Sequence, residues 1–169
     1  NDMLAAYRGA RAFLQPVPSM PMHDLDNRIE IGPIACLGKD RHTDVRRRLA
    51  VADDAKLILV SLGGIPTRLN IADWPQLPGV YWIVPAAWDP QRRDTLPFEA
   101  LAMNFIDVLR SADALITKPG YGSFVEAACN GIPALYGHRH EWPEEVYLKE
   151  WMKAHGRCIP ISLRQLEQG

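Results

Sequence analysis

Continuous apolar runs alternate with amphipathic segments along most of the chain. Runs without polar alternation are typical of strands buried on both faces of a sheet, whereas apolar residues spaced by three and four predict helices. The predicted strands are RIEIGPIAC, a short candidate broken by Gly32-Pro33, and AKLILVSL, VYWIVPA, ALITK, IPALYG and RCIPI. The predicted helices are DRHTDVRRRLAV, MNFIDVLRSAD, SFVEAACNG, EEVYLKEWMKAHG and SLRQLEQ. We interpret the three arginines of the first of these helices, residues 46–48, as a solvated face.

Strands that alternate with helices indicate right-handed βαβ units, in which successive strands run parallel. The sequence therefore predicts the α/β class, with a Rossmann-like doubly wound parallel sheet of about six strands and flanking helices. In such a sheet, ligands bind where the carboxyl ends of strands meet the amino ends of helices, so candidate chemistry is expected at that edge.

The first 26 residues have a different pattern from the rest of the chain. Residues 2–14 have helical spacing, and Pro16, Pro18 and Pro21 then prevent the helix from continuing. We interpret residues 1–26 as a helix and Pro-rich linker, and residues 27–169 as the main domain.

The composition argues against several classes of protein. The 169 residues carry 19 Lys plus Arg and 20 Asp plus Glu, so the chain lacks the basic excess of a protein that binds nucleic acid through its phosphates. No apolar run approaches the ~20 residues of a membrane-spanning helix, so we expect no transmembrane segment. The three cysteines form no C-x-x-C pair and indicate reduced thiols in a cytoplasmic protein.

The most informative stretch is residues 113–136, in which a predicted strand meets the turn KPGYGS and then a helix. Gly120 and Gly122 would let the backbone approach a ligand closely, and the free N–H groups and dipole of the helix favour an anion. This combination predicts a diphosphate site. A second interpretation needs no ligand, because Ser123 and Glu126 fit an S-x-x-E capping box in which the Glu side chain bonds back to the cap.

The stretch KPGYGSFVEAACNGIPALY resembles the nucleotide-sugar-binding signature in the carboxy-terminal domain of GT-B glycosyltransferases, in the branch that includes the peptidoglycan N-acetylglucosaminyltransferase. In that branch a glycine loop is followed by a Glu, an Ala-rich turn and G-x-P, an order that Gly120, Glu126 and the triplet GIP match. The resemblance implies that Gly120, Tyr121, Gly122 and Ser123 hold the donor diphosphate. It also implies that Glu126 accepts hydrogen bonds from both ribose hydroxyls, which a carboxylate can do.

The resemblance extends over roughly residues 29–160 and implies further donor contacts. LILVSLGG is similar to the first strand and glycine turn of that domain, which would place Gly63 and Gly64 against the donor phosphates. A simple turn after a buried strand is the other interpretation of these glycines. Family members read the base through a backbone amide near residues 101–105, which implies Ala102 or Met103 here.

Glu144 and Glu145 stand where the family has a D/E-Q or Q-Q pair that contacts the donor sugar. A carboxylate accepts hydrogen bonds from sugar hydroxyls but cannot donate them as Gln does, so this departure bears on the identity of the donor. The alternative is that both residues are first-turn acids after Pro143, which complement the helix dipole.

The resemblance as a whole implies the donor-binding domain of a glycosyltransferase that transfers a hexose from a nucleoside-diphosphate sugar, a UDP-sugar, to an unknown acceptor. The implied partners are that donor and an amino-terminal acceptor domain of the same protein, which supplies the catalytic base, so no catalytic residue is assigned here. No cofactor or metal is expected, because amides and the helix dipole neutralise the diphosphate. Two alternatives stay open: a UDP-sugar 2-epimerase or hydrolase half-domain, and a non-catalytic nucleotide-sugar-binding domain.

Overall fold

The computed structural model describes residues 2–63, 68–88, 91–138 and 142–162. Within these ranges the strands are β1 (Phe13–Pro16), β2 (Arg28–Ile31), β3 (Lys56–Val60), β4 (Val80–Val84), β5 (Thr95–Pro97), β6 (Ala114–Thr117), β7 (Ala134–Gly137) and β8 (Cys158–Ile161). The α-helices are α1 (Asp2–Gly9), α2 (His42–Leu49), α3 (Phe105–Ser111), α4 (Tyr121–Cys129) and α5 (Glu145–His155). Short 3-10 helices cover Ile71–Asp73, Ala86–Trp88 and Phe98–Leu101. The predicted helix SLRQLEQ lies, apart from its first residue, outside the described ranges.

Six strands form one sheet in the order β5-β4-β3-β6-β7-β8, and every neighbouring pair runs parallel. The chain enters this sheet in the middle at β3, moves outwards to β5, returns to β6 and continues outwards to β8. This strand order is that of a doubly wound Rossmann fold, so the predicted fold class is confirmed. The order reverses between β3 and β6, and the crevice at their carboxyl ends is where such sheets bind ligands.

Both faces of the sheet are buried, which explains why its strands read as continuous apolar runs. Along β3, Leu57 and Leu59 belong to one hydrophobic cluster, whereas Val60 belongs to the other. The first cluster includes residues of α3, α4 and α5. The second includes Ile71 and Trp74, so loops and a 3-10 helix help to cover that face.

The predicted helix over residues 2–14 is wrong at its carboxyl end, because α1 ends at Gly9 and Phe13 begins β1. The Asn27 side chain donates to the carbonyl of Tyr7 at 2.9 Å, and the Asn27 carbonyl accepts from the N–H of Phe13 at 2.9 Å. Asn27 thus bonds the end of α1 and starts the pairing of β1 with β2, in a separate two-stranded parallel sheet. This sheet spans the predicted boundary at Asn27, and the linker interpretation stays a prediction.

The sixth strand of the large sheet is β5 rather than RIEI, which forms β2 in the smaller sheet. β5 has three residues and ends in Pro97, so it is too short to give a recognisable pattern in the sequence. No helix within the described ranges combines the length and the apolar character that a bilayer span requires.

Arg46 is only 6% exposed, so the interpretation of residues 46–48 as a solvated face is wrong at its first position. Its Nη2 donates to the carbonyl of Ala55 at 2.6 Å and to Oδ2 of Asp113 at 3.2 Å. The same Asp113 oxygen accepts from the N–H of Leu57 at 2.9 Å. This network ties α2 to the amino-terminal edge of β3 and β6, the edge opposite the crevice.

Candidate functional site

The carboxyl ends of β3 and β6 bring two predicted glycine loops together. The N–H of Ser61, just after β3, donates to the carbonyl of Ile116 in β6 at 2.9 Å. Gly63 has a φ of 74°, which favours glycine, and a Cβ at Gly63 would lie 3.9 Å from Cε of Lys118. The loops that contain Gly63 and Lys118 therefore line the same crevice. Gly64 lies outside the described residues.

The start of α4 is an uncapped helix terminus. Gly120 is the N-cap residue and no side chain bonds to the cap, while the N–H of Phe124 donates to the Gly120 carbonyl at 3.0 Å. The N–H groups of residues 121–123 therefore have no acceptor within the helix, and the helix dipole adds partial positive charge there. The capping-box interpretation is wrong, because α4 begins two residues earlier than Ser123 and places Ser123 and Glu126 inside the helix.

The two glycines of this turn provide space rather than an unusual backbone conformation. Gly120 is extended, with a φ of −164°, and Gly122 lies within α4. Among the described residues, a Cβ at Gly122 would meet nothing within 4 Å, and one at Gly120 would meet the Lys118 carbonyl at 3.9 Å. The surface beside the start of α4 is thus open to a ligand.

Glu126 is a half-buried acid on α4. Burial raises the pKa of the Glu126 carboxyl above its ordinary value. Among the described residues, no hydrogen bond or ion pair to this carboxylate is formed. A partly desolvated carboxylate is stabilised by hydrogen-bond donors, so this group is suited to accept them from a ligand.

The Tyr121 side chain contacts the amino-terminal part of the chain. Its Oη accepts from the N–H of Ile34 at 2.8 Å and donates to the carbonyl of Val17 at 3.4 Å. The phenol of Tyr121 is thereby engaged within the protein, while its backbone N–H lies at the first position of α4.

Ala102 and Met103 follow the 3-10 helix Phe98–Leu101, which comes after β5. Ala102 has a φ of 46°, and its N–H donates to the carbonyl of Glu99 at 3.2 Å. Met103 is half-buried and packs against the first hydrophobic cluster. The Ala102 amide is thus engaged in the turn, and a base contact by either residue stays a prediction.

The two acids at the start of α5 differ in their surroundings. Glu144 is the half-buried N-cap residue of α5, without a side-chain bond to the cap. Glu145 is buried, and its Oε1 lies 2.9 Å from Nδ1 of His138 and 3.1 Å from Nζ of Lys149. These partners favour a first-turn structural role for Glu145, whereas Glu144 is the better placed of the two for a ligand.

No group of three or more His, Cys, Asp or Glu side chains within the described ranges is arranged to hold a metal ion. The expected independence from metal and cofactor stays a prediction.

Three buried polar residues were missed by sequence reasoning: Asp107 and Ser111 on α3, and Asn130 at the end of α4. Asn130 precedes a glycine, as residues at helix ends often do, and this was the single local signal available. All three bond to one distant segment, residues 38–41.

No protein-family model matches the chain. L-arabinokinase of Arabidopsis thaliana is 24% identical over 129 residues, which are 75% of this chain and 12% of that protein. Among solved structures, the glycosyltransferase of kitacinnamycin aligns with a TM-score of 0.51 and 20% identity, over 85% of this chain and 40% of that one. The glycosyltransferase SnogD from Streptomyces nogalater covers 88% of this chain and 44% of its own, with 16% identity and a TM-score of 0.47.

The chain thus spans less than half the length of each of these proteins. At these identities the likeness to the glycosyltransferase of kitacinnamycin concerns the fold. The described residues form a Rossmann-like α/β fold of the kind found in a glycosyltransferase.

Proposed function

We propose that the chain is the donor-binding domain of a GT-B-type glycosyltransferase that transfers a hexose from a UDP-sugar to an acceptor. The observation that carries the proposal is the Glu126 carboxylate, which is partly desolvated and without a partner among the described residues. It follows the uncapped start of α4, at the crevice where the strand order reverses. The cis-diol of a ribose supplies two hydroxyl donors to such a carboxylate.

The start of α4 suits the diphosphate of the same ligand. The N–H groups of residues 121–123 donate to phosphate oxygens, and the helix dipole favours the negative charge. The open space at Gly122 leaves room for the ligand, and Gly63 places a second backbone loop nearby. Between Gly120 and Glu126 the helix rises ~9 Å, six residues at 1.5 Å each, so the diphosphate and the ribose take separate positions along α4.

In this proposal the chain binds and orients the donor and stabilises its leaving group. As an acceptor hydroxyl attacks the anomeric carbon, the bond to the diphosphate breaks and negative charge grows on the phosphate oxygens. Fixed N–H donors at the helix start stabilise that charge without a metal ion. The base that takes the acceptor proton belongs to an acceptor domain of the same protein.

A non-catalytic nucleotide-sugar-binding domain is the second candidate, and one observation favours it. Glu145 bonds to Lys149 and lies against His138, so it is not free to contact a sugar as the corresponding family residue does. Retention of nucleotide binding without recognition of the sugar would fit this arrangement. A UDP-sugar 2-epimerase or hydrolase half-domain shares the same nucleotide contacts and differs in its products.

A titration with nucleotides tests the proposal. Calorimetry with UDP, GDP and TDP, together with UMP, should give binding of UDP and weaker binding of UMP, which lacks the second phosphate. Hydrogen exchange in the presence of UDP should slow at residues 120–126 and around Gly63. Absence of binding by every nucleoside diphosphate, or protection confined to another part of the chain, would overturn the proposal.

A further inference from the structure

Residues 34–41, which we name the strap, cross the surface between β2 and α2 without forming a helix or strand. Two apolar side chains of the strap are exposed, Ile34 to 61% and Leu37 to 71%. Burial of apolar surface therefore does little to hold this segment. Hydrogen bonds from its backbone to side chains of α3 and α4 hold it instead.

The strap is bonded to both ends of α4. At the start, the N–H of Ile34 donates to Oη of Tyr121 at 2.8 Å. At the end, Oδ1 of the buried Asn130 accepts from the N–H of Gly38 at 2.8 Å, and its Nδ2 donates to the carbonyl of Cys36 at 3.0 Å. The same Nδ2 donates at 2.8 Å to the carbonyl of Glu126, the residue that carries the proposed ribose contact.

The two attachments lie far apart along α4. Tyr121 and Asn130 are nine positions apart, which corresponds to a rise of ~13.5 Å at 1.5 Å per residue. The strap is therefore attached to α4 at each end of the helix.

The other part of the strap is fixed to α3. The N–H of Lys39 donates to Oδ1 of Asp107 at 2.8 Å, and the N–H of Arg41 donates to Oγ of Ser111 at 2.8 Å. A Cβ at Gly38 would collide with the backbone carbonyl of Ile106, so the strap passes close against α3 at this point. These contacts fix the strap to α3 in addition to its attachments to α4.

We propose that Tyr121 and Asn130 are positioning residues, which hold α4 against the strap and so fix its first N–H groups and Glu126 in the geometry that binds a nucleoside diphosphate. This inference rests on the proposed function. A helix of nine residues has little stability of its own, and a site held in its binding geometry before the ligand arrives binds more tightly. Tyr121 acts through its phenol on the strap, and its side chain does not touch the nucleotide.

The strap contacts and nucleotide binding both stabilise the same position of α4, so each should stabilise the other. Nucleotide binding should therefore slow hydrogen exchange at the strap amides of Ile34 and Gly38, which lie outside the nucleotide site. A strap with a purely structural role would show no such response.

The test compares Tyr121→Phe with Ser111→Ala. The first removes the attachment at the start of α4, and the second removes an attachment to α3 alone. Calorimetry should show UDP affinity about two- to tenfold weaker for Tyr121→Phe, the effect of one lost hydrogen bond, and unchanged for Ser111→Ala. In Tyr121→Phe, UDP should no longer slow exchange at Ile34.

Gly38→Ala is a second variant, which displaces the strap by direct collision and should weaken UDP binding in the same direction. Wild-type affinity for UDP in folded Tyr121→Phe, or equal losses in Tyr121→Phe and Ser111→Ala, would overturn the inference. If the wild-type chain binds no nucleoside diphosphate, the proposed function fails first and the inference falls with it. The two failures are therefore distinguished by the wild-type titration.

Discussion

At the scale of single residues, the ion pair of Arg92 and Asp94 is an example of local structure set by buried charge. Nε and Nη2 of Arg92 donate to the two carboxylate oxygens of Asp94 at 2.9 and 2.6 Å, and the side chains are 7% and 15% exposed. Arg92 Nη1 also donates to the carbonyl of Ile71 at 2.7 Å and to that of Trp74. The pair therefore joins the entry of β5 to the 3-10 helix that begins at Ile71.

This pair makes stability depend on acid pH. The hydrogen bond from Arg92 lowers the pKa of the Asp94 carboxyl in the folded protein. The stabilisation that the ionised Asp94 carboxylate provides is then present above the pKa of about 3.9 that this group has in the unfolded chain. It is lost as pH falls through the lower pKa that the group has in the folded protein. We expect Asp94→Asn to cost about 3 kcal/mol of unfolding free energy at pH 7, because Arg92 loses its charge partner.

Denaturant unfolding between pH 3 and 7 measures this prediction. The difference between wild type and Asp94→Asn should shrink towards pH 3, whereas Asp53→Asn, at an exposed turn, should track the wild type throughout. A difference that stayed constant over this pH range would show that the charge of Asp94 is not what stabilises the loop.

The pKa shift of Glu126 has the opposite sign to that of Asp94. Burial raises the pKa of its carboxyl, so the ionised form opposes folding, and stability is lost as pH rises through the folded pKa. Glu126→Gln should therefore melt no lower than the wild type at pH 7. It should weaken UDP binding about ten- to a hundredfold, because charge-assisted hydrogen bonds to the ribose contribute about 1.5–3 kcal/mol each.

The matched control is Glu150→Gln, which neutralises an exposed acid on α5. A UDP analogue without the 2′ and 3′ hydroxyls should bind wild type about as weakly as UDP binds Glu126→Gln, and the variant should hardly distinguish the two ligands. Early melting of Glu126→Gln together with normal UDP affinity would remove Glu126 from the site.

At the scale of elements, the predictable strands are those buried on both faces, because such a strand consists of a continuous run of apolar residues. β5 could not be found this way, because its three residues are placed by pairing with β4 and by the contacts of Arg92. The start of α4 was placed two residues late, because Ser123 and Glu126 satisfy a local capping pattern that the actual turn at Gly120 does not use.

The candidate site also has one part that could be predicted from the sequence and one part that could not. The proximity of Gly63 to the start of α4 follows from the meeting of adjacent parallel strands at one edge, so it could be predicted from strand order. The direction of the Tyr121 side chain and the role of Asn130 depend on partners 87 and 94 positions away along the chain. No local pattern encodes contacts over that separation.

The start of α4 gives a prediction for the helix as a unit. A valine at Gly122 would project into the open space that the diphosphate is expected to occupy, so Gly122→Val should abolish UDP binding. The variant should still fold, because no atom of the described part of the chain lies within 4 Å of the added Cβ. Calorimetry and circular dichroism measure the two effects.

Cys129→Val is the control, since it places the same β-branched residue at an exposed position near the other end of α4. It should bind UDP as the wild type does. Normal affinity in folded Gly122→Val would count decisively against a phosphate position at this turn.

At the scale of the whole molecule, the charge of the diphosphate is expected to be met by backbone amides and the helix dipole. UDP binding should then persist unchanged in excess EDTA, because no step of the proposed recognition uses a cation. Titrations with and without chelator, and with added Mg²⁺ or Mn²⁺, measure this. If UDP binding required either ion, the diphosphate would be bound through a metal ion and not by backbone amides alone.

The last prediction concerns which part of the proposed reaction this chain performs and which part belongs to the proposed acceptor domain. The chain covers 40% of the glycosyltransferase of kitacinnamycin, and the proposal assigns the acceptor and the base to another domain. The isolated chain should therefore bind UDP and a UDP-sugar without multiple turnover, since binding alone does not supply a positioned nucleophile and base.

Incubation with labelled UDP-, GDP- and TDP-sugars, for this chain and for the full-length protein, measures that division. Transfer of label to an acceptor by the full-length protein alone is the expected result. Free sugar or an epimerised sugar nucleotide would instead indicate a hydrolase or an epimerase built on the same donor contacts. Intact donor after binding would favour the non-catalytic domain, which the engaged Glu145 carboxylate is consistent with. Multiple turnover by the isolated chain would mean that its own residues include the base, and the half-buried Glu144 at the start of α5 would then be the first residue to substitute.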